Sequence, residues 1–218
     1  MKGLMIKDLR IILAQKRYML MVGAIGVFMA LTQGDISFCI MYMTMVATIM
    51  AVSTLNYDSY EENGMAYLMM LPIKRSTYVL EKYLFVSGMV AMVGIVFSMF
   101  GVLYNFLTYG TLAWIDTLLY LLIAVVMGCV LMSVMLPANL KYGAEKSRVV
   151  MLVFGGSILG IVYGIKAGIE KHPELMETLY KLEEIPGWIW GIAGGVVFVL
   201  VVSVSFCISV NVIRKKEF

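Results

Sequence analysis

Residues 56–84, with the sequence NYDSYEENGMAYLMMLPIKRSTYVLEKYL, form a polar segment between two long apolar runs. Ser59 and Glu62 have the spacing of a capping box, in which a hydroxyl and a carboxylate satisfy backbone N–H groups at the start of a helix. Pro72 would end that helix, because proline cannot donate the hydrogen bond of a helix interior. The pattern therefore predicts a short helix between two hydrophobic segments.

The composition around this segment is that of a membrane protein. Hydrophobic residues make up 61% of the 218 residues and charged residues 14%, whereas soluble domains carry about 25% charged residues. A membrane span needs about 20 mostly apolar residues. Six spans are predicted, at residues 18–31, 36–55, 83–107, 112–136, 149–165 and 188–212. The predicted fold is a single all-α integral membrane domain over residues 1–218, with an amphipathic interfacial helix at 1–17.

Lysine and arginine are concentrated at alternate ends of these spans. They precede span one, follow span six and lie in the loops at 57–82 and 137–148, whereas the loop at 169–187 is mostly acidic. By the positive-inside rule, both termini and the two basic loops are predicted to be cytoplasmic, and the acidic loop extracellular. The net charge of +3 follows from this asymmetry and does not indicate nucleic-acid binding.

Several function classes lack their characteristic residues in this chain. Ion-coupled carriers keep ionisable groups within the membrane, and the predicted spans have almost none. The sequence contains no phosphate-binding GxxxxGK[ST] loop, no HExxH and no Gly-x-Ser-x-Gly. We therefore expect no catalytic site, no metal site and no cofactor on this chain. A permease driven by a separate ATPase fits this combination. A membrane anchor or sensor that docks a cytoplasmic partner is the alternative.

Two segments resemble the permease subunits of type-2 ATP-binding-cassette (ABC) transporters, especially small bacterial exporters with six spans. The first has Leu-Pro-Ile at 71–73, a basic stretch at 74–76 and Val-x-x-Lys-Tyr at 79–83. The second, LPANLKYGAEKSR at 136–148, is similar to Pro-x-x-x-Lys-Phe-Gly-x-Glu-Lys-x-Arg, with Tyr142 in place of Phe. Some members of the resembled family export peptide toxins such as phenol-soluble modulins.

The resemblance implies a location and a set of partners. The chain would be a multi-pass protein of the bacterial plasma membrane. Two cytoplasmic ABC ATPase subunits, which bind ATP and Mg, would drive it, and a second copy or a related permease would complete the path through the membrane lipid. Cargo would be amphipathic, since the spans are uncharged: a peptide toxin or antimicrobial peptide, a lipid or a hydrophobic drug.

In the resembled family the first cytoplasmic loop holds the coupling helix, which contacts the ATPase. The resemblance thus assigns ATPase docking to Tyr57, Asp58, Tyr60, Glu61, Glu62, Met65, Tyr67, Leu68, Leu71 and Pro72. It assigns the second cytoplasmic loop to Pro137, Lys141, Tyr142, Gly143, Glu145, Lys146 and Arg148. A helix folded back on the membrane and a plain positive-inside loop are the alternatives. We expect Pro137 to end span four and Gly143 to permit a tight turn.

Glycines recur at every fourth position of span five. Gly156, Gly160, Gly164 and Gly168 would share one helix face, and such rows let two helices approach closely in lipid. The row would form either a dimer interface or tight packing within one subunit. In the resembled family spans one and five meet their counterparts in the second permease, which favours the interface. Span one offers Gly23 and Gly26 as complements.

Overall fold

The architecture is helical throughout the part of the chain that the computed structural model describes. That part comprises residues 2–33, 36–60, 74–110, 114–171 and 187–215. Its helices are α1 (Lys2–Ala14), α2 (Lys16–Gln33), α3 (Ile36–Tyr60), α4 (Arg75–Tyr109), α5 (Trp114–Lys171) and α6 (Gly187–Lys215). Within these ranges there is no strand, which confirms the predicted all-α fold.

The described residues of all six predicted spans fall on these helices; residues 112 and 113 of the fourth lie outside the described part. The stretches long and apolar enough to cross a membrane are Ser37–Asp58, Arg75–Tyr109, Trp114–Gly143, Lys146–Gly164 and Gly191–Lys215. The first predicted span corresponds to α2, which meets α1 at an angle of 66°. The described part of the chain therefore has five candidate spans, or six when the bent pair of α1 and α2 is included.

Helix α3 lies at the centre of the bundle and packs against α1, α2, α4 and α5. Its Ala51 and Val52 are fully buried, and they belong to a core that also holds Val86 of α4, Leu136 of α5 and Ile213 of α6. Burial of apolar surface contributes about 25 cal/mol per Å² removed from water. In a bilayer, close packing takes over much of that role between helices.

Two glycines allow the close approach of helices in this core. A Cβ atom at Gly94 would lie 2.7 Å from a methyl group of Leu121, and one at Gly128 would lie 2.8 Å from Val90. These glycines face α5 and α4, respectively, and each also lies beside a threonine of α3, Thr44 or Thr48. Neither glycine belongs to a repeated sequence pattern, so the sequence does not predict this close packing.

Helix α5 is broken at Gly143, not at Pro137. Gly143 has φ 78° and ψ 178°, a conformation that favours glycine, which confirms the predicted turn. The expectation that Pro137 ends span four is wrong, because the helix continues past it. Leu136 and Leu140 beside it are at most 2% exposed. Their burial keeps this stretch helical despite a cost of about 3 kcal/mol for an interior proline.

Helix α3 also extends further than the sequence indicated. It runs through Tyr60, so Ser59 lies in its last turn and does not begin a new helix, and the predicted capping box is wrong at Ser59. The carboxylate of Asp58 accepts hydrogen bonds from Lys7 and Tyr78, and these contacts hold the last turn of α3 in place. The predicted coupling helix from Glu61 onwards lies outside the described residues.

Candidate functional site

A cluster of charged side chains is buried where α1, α3 and α4 meet. We call it the ionic cluster: Lys7 and Asp8 from α1, Asp58 from α3, and Tyr78 and Lys82 from α4. Asp8 is 0% exposed and Lys82 1% exposed. Charged groups are almost never buried to this extent unless they are paired. The segment 61–73 connects α3 to α4, so the cluster lies at both ends of that segment.

Lys82 is the central donor of the ionic cluster. Its Nζ donates a hydrogen bond to Oδ2 of Asp8 and lies 3.1 Å from Oδ2 of Asp58. The hydroxyl of Tyr78 donates a hydrogen bond to the same Asp58 oxygen at 2.8 Å. Lys7 donates to Oδ1 of Asp58 and lies 3.5 Å from Oδ1 of Asp8. Each lysine therefore contacts both aspartates, and each aspartate contacts both lysines.

The burial of these ion pairs determines how much they contribute to the stability of the fold. Exposed ion pairs contribute about 0–1 kcal/mol, but removing one partner of a buried pair costs about 3–5 kcal/mol, because a charge is left uncompensated. Lys82 and Asp8 form a buried pair of this kind. Lys7, whose side chain is 34% exposed, is partly solvated. The pair of Asp8 and Lys82 thus fixes how α1 lies against α4.

Glu81 adds a third carboxyl group beside the ionic cluster. It is 0% exposed, and among the described residues neither of its carboxylate oxygens has a hydrogen-bond partner. Asp8, Asp58 and Glu81 together would give three negative charges against the two lysines. A buried carboxylate without hydrogen bonds is unfavourable. Glu81 is therefore the member of this region whose charge the surroundings stabilise least.

Two further polar contacts join α4 to α6. Arg75, in the first turn of α4, donates to the backbone carbonyls of Ile213 at 3.0 Å and Arg214 at 2.9 Å. Such carbonyls at a helix C-terminus lack partners within the helix. Tyr83 lies 2.6 Å from the hydroxyl of Ser205, which in turn donates to the carbonyl of Ser133 in α5. The start of α4 is therefore held by polar contacts to α1, α3 and α6.

Three of the ten predicted docking residues belong to the described part of the chain: Tyr57, Asp58 and Tyr60. Tyr57 is 49% exposed, and its hydroxyl accepts a hydrogen bond from Gln15 at 2.7 Å. Asp58 is 6% exposed and belongs to the ionic cluster. The expectation that its side chain contacts the ATPase is therefore wrong, because it contacts residues of this chain. Helix α3 includes Tyr60. The remaining predicted docking residues lie outside the described part: Glu61, Glu62, Met65, Tyr67, Leu68, Leu71 and Pro72.

The second predicted loop is largely a helix surface. Lys141 and Tyr142 are exposed just before the break at Gly143, and the Lys141 ammonium lies 4.9 Å from the centre of the Tyr142 ring. Lys146 and Arg148 are exposed after the break. The backbone of Glu145 is helical, but its side chain is outside the described set. These bases remain accessible to acids on a partner or to lipid phosphates.

The predicted glycine face lies open within the chain. A Cβ atom added at Gly156, Gly160 or Gly164 would meet no atom of the described residues within 4 Å, which argues against tight packing on these residues at the three positions. Gly168 lies further along the same helix. In contrast, a Cβ atom at Gly26 would lie 2.9 Å from the sulfur of Met43, and one at Gly23 3.9 Å from its methyl group. Gly26 therefore already packs against α3.

Sequence reasoning missed Asp8, Tyr78 and the role of Lys82. One signal for Asp8 was present: it is the sole acid among residues 1–34 and shares a helix face with Leu4 and Ile12, which are buried with it. An acid on an apolar face indicates a buried partner. Lys82 was part of the Val-x-x-Lys-Tyr string, but nothing in that string identifies its partner. Within the described residues, no group of three His, Cys, Asp or Glu side chains could hold a metal ion.

The fold and this site define a class: a multi-pass, α-helical membrane protein whose second and third spans are joined at their ends by a buried ionic cluster. The chain belongs to the ABC-2 family of transporter proteins, whose family model matches residues 3–214. It is therefore a membrane component of an ABC transporter and not itself an enzyme, and the ATPase is a separate subunit. No curated protein and no solved structure matches it significantly.

Proposed function

We propose that this chain is the membrane-spanning subunit of an ATP-driven exporter in the bacterial plasma membrane, with both termini in the cytoplasm. Two ATPase subunits, which bind ATP and Mg, would contact Tyr57 and the segment 60–72. The observation that carries the proposal is the ionic cluster, because it joins α3 to α4 at the two ends of that segment. Because Asp58 and Lys82 connect the two ends of the segment, both spans would follow a displacement of the segment.

The mechanism follows from this connection. ATP binding would draw the two ATPase subunits together and displace the docked segments. Because Asp58 and Lys82 are bound to each other, a displacement of the segment would move α3 and α4 together. Arg75 would carry the same displacement to the end of α6. The spans would then reorient and open the path outward.

A second permease copy, or a related permease, would cover the open glycine face of span five. Only 6% of the most apolar stretch of Lys146–Gly164 is buried within the chain, and the open positions at Gly156, Gly160 and Gly164 would allow close approach of a second helix. Gly26 is already occupied by Met43, so its part in such an interface would require that contact to shift. This makes span five the main candidate for the interface.

The cargo would be amphipathic: a peptide toxin or antimicrobial peptide, a lipid or a hydrophobic drug. Apart from the ionic cluster, Glu81 and Arg75 near the ends of spans two and three, the described spans contain hardly any charge that could bind a small hydrophilic ion. A groove of about 530 Å³ between the end of α4 and the start of α5 is lined by apolar side chains, among them Met99, Phe106 and Trp114. Such a lining is compatible with the apolar part of this cargo class.

Affinity purification tests the proposal. The tagged chain is purified from its native membranes in mild detergent, and co-purifying ATPase is quantified. We expect a stoichiometric ATPase with the parent and its loss with Glu62→Lys, because an acidic docking face would be reversed. Glu174→Lys, an equal change in the predicted extracellular loop, is the control and should retain the ATPase. Absence of an ATPase from the parent would contradict the proposal and favour an anchor or sensor.

A further inference from the structure

Helix α1 contacts both ends of the segment that joins the second and third spans. Lys7 binds Asp58 near the end of α3, and Asp8 binds Lys82 near the start of α4. These two neighbouring residues thus connect one short helix to two spans. The predicted role of α1 was to lie in the membrane interface, for which contacts to charged groups in the protein core are unnecessary.

The contacts on the buried face of α1 differ in how strictly they fix its position. Leu4 and Ile12 pack against apolar side chains, and such contacts tolerate small shifts. Asp8 is different, because a carboxylate that is 0% exposed must keep its partner or lose most of its stabilisation. Thr54 of α3 adds a weak hydrogen bond to the same carboxylate oxygen at 3.4 Å. Asp8 therefore fixes α1 in one register.

Helix α1 is also joined directly to the first span. Only Gln15 separates it from α2, and backbone hydrogen bonds run from Gln15 to Ile12 and from Met19 to Gln15. The two helices meet at 66°, and because they are directly joined, a displacement of α1 would also move the adjacent end of α2. The side chain of Gln15 additionally binds Tyr57, beside Asp58.

We propose that Asp8 is a positioning residue that, through Lys82, holds α1 to both ends of the segment 61–73, so that displacement of this segment by the ATPase reaches α2, the first span. This inference rests on the proposed function. It makes α1 a transmitting element, in addition to any role at the membrane surface.

Cross-linking within the chain tests the holding role without any partner. Of the three native cysteines, Cys39 and Cys129 are buried and Cys207 is exposed, so Cys207 is first replaced by serine. Cysteines then replace Gln15 and Tyr57, and a short bifunctional maleimide joins them in native membranes. We expect Asp8→Asn to lower the cross-linked fraction severalfold and Asp8→Glu, which keeps the charge, to recover most of it. Arg10→Gln, on the exposed face of α1, should match the parent. Equal cross-linking with Asp8→Asn would overturn the proposal.

Turnover of the co-purified ATPase tests the transmission. The complex is reconstituted in nanodiscs, and ATP hydrolysis is measured together with the amount of bound ATPase. We expect Asp8→Asn to retain the bound ATPase but lower turnover by roughly 2- to 30-fold, the range that such coupling changes span. Asp8→Glu should restore turnover. A merely structural role would lower the amount of complex without changing turnover per complex, and that result would overturn transmission.

The two experiments fail in different ways. If the parent chain brings no ATPase, the proposed function fails, and transmission from an ATPase fails with it, whereas the cross-link still decides whether Asp8 holds α1. If an ATPase is bound but Asp8→Asn leaves its turnover unchanged, the proposed function stands. The inference about the first span is then wrong.

Discussion

Spans two and five of this chain differ in almost every physical respect. In the most apolar stretch of Ser37–Asp58, 61% of the residues are buried, whereas in Lys146–Gly164 only 6% are. The former ends in Asp58, whose carboxylate has three side-chain partners, Lys7, Tyr78 and Lys82. The latter presents glycines at which an added Cβ atom would meet no atom of the described residues within 4 Å. Span two therefore packs largely against other helices of this chain, whereas span five presents a surface for lipid or for another subunit.

The largest effect is expected from Lys82→Met. This change removes the central donor and leaves Asp8 and Asp58 buried with Lys7 as their remaining cation, at a cost of about 3–5 kcal/mol. The free energy of unfolding in mixed detergent measures it. Lys141→Met, at an exposed position of α5, is the matched control and should stay within about 0.5 kcal/mol. Equal values for both variants would mean that span two is not fixed by charge.

Two glycines, Gly128 and Gly156, compare the packing around span two with that around span five. Gly128 lies in span four and packs beside Thr48 of span two. Gly128→Val should destabilise the chain by about 1–3 kcal/mol through overpacking, because even its Cβ would lie 2.8 Å from Val90. Gly156→Val should leave the unfolding of the single chain nearly unchanged, since its position is open. Unfolding free energies at low protein-to-detergent ratio report both. A large loss for Gly156→Val would show that span five packs within one chain.

A second glycine pair, Gly156 and Gly88, sharpens the comparison at the level of assembly. If a second copy covers span five, Gly156→Val should reduce cross-linking between differently tagged copies in native membranes, whereas Gly88→Val, the same change at an open position of α4, should not. Unchanged cross-linking between copies for Gly156→Val would leave that face to lipid and would contradict the proposed interface.

A smaller effect of opposite sign is expected from Glu81→Gln. The variant removes a buried charge whose oxygens have no hydrogen-bond partner among the described residues, and it leaves two aspartates against two lysines. Stability should therefore be unchanged or rise by about 1 kcal/mol, because desolvating a charge is costly. Thermal unfolding followed by circular dichroism tests this. A clear loss would indicate that Glu81 is held by a cation.

The smallest effect is expected from Tyr57→Phe. It removes one hydrogen bond, from Gln15 to an exposed hydroxyl, and a bond of this kind contributes about 0.5–1.5 kcal/mol net. The value should lie at the low end, because water replaces the lost partner. Gln15→Leu, measured in the same unfolding assay, should match it. A loss comparable to that of Lys82→Met would move the fixed point of α1 from Asp8 to Gln15.

The sequence predicts much of the fold and little of the site, for physical reasons. Apolar runs near 20 residues determine where spans lie, and glycine in a left-handed conformation explains the break at Gly143. The chemical identity of Pro137 did not decide the end of a helix, because burial of Leu136 and Leu140 outweighed it. Asp8 and Lys82 meet only through the packing of α1 on α4, and local periodicity contains no information about such a meeting.

The pairing of Asp8 with Lys82 also has a consequence for synthesis. The two residues are 74 positions apart, so α1 leaves the ribosome long before its partner does. Until Lys82 has been made and the third span inserted, burying Asp8 would be unfavourable. We therefore expect the amino-terminal helix to remain in water or at the membrane surface during early translation, and to dock last among the first four helices. A helix that is made early thus completes its packing only after a later part of the chain has been made.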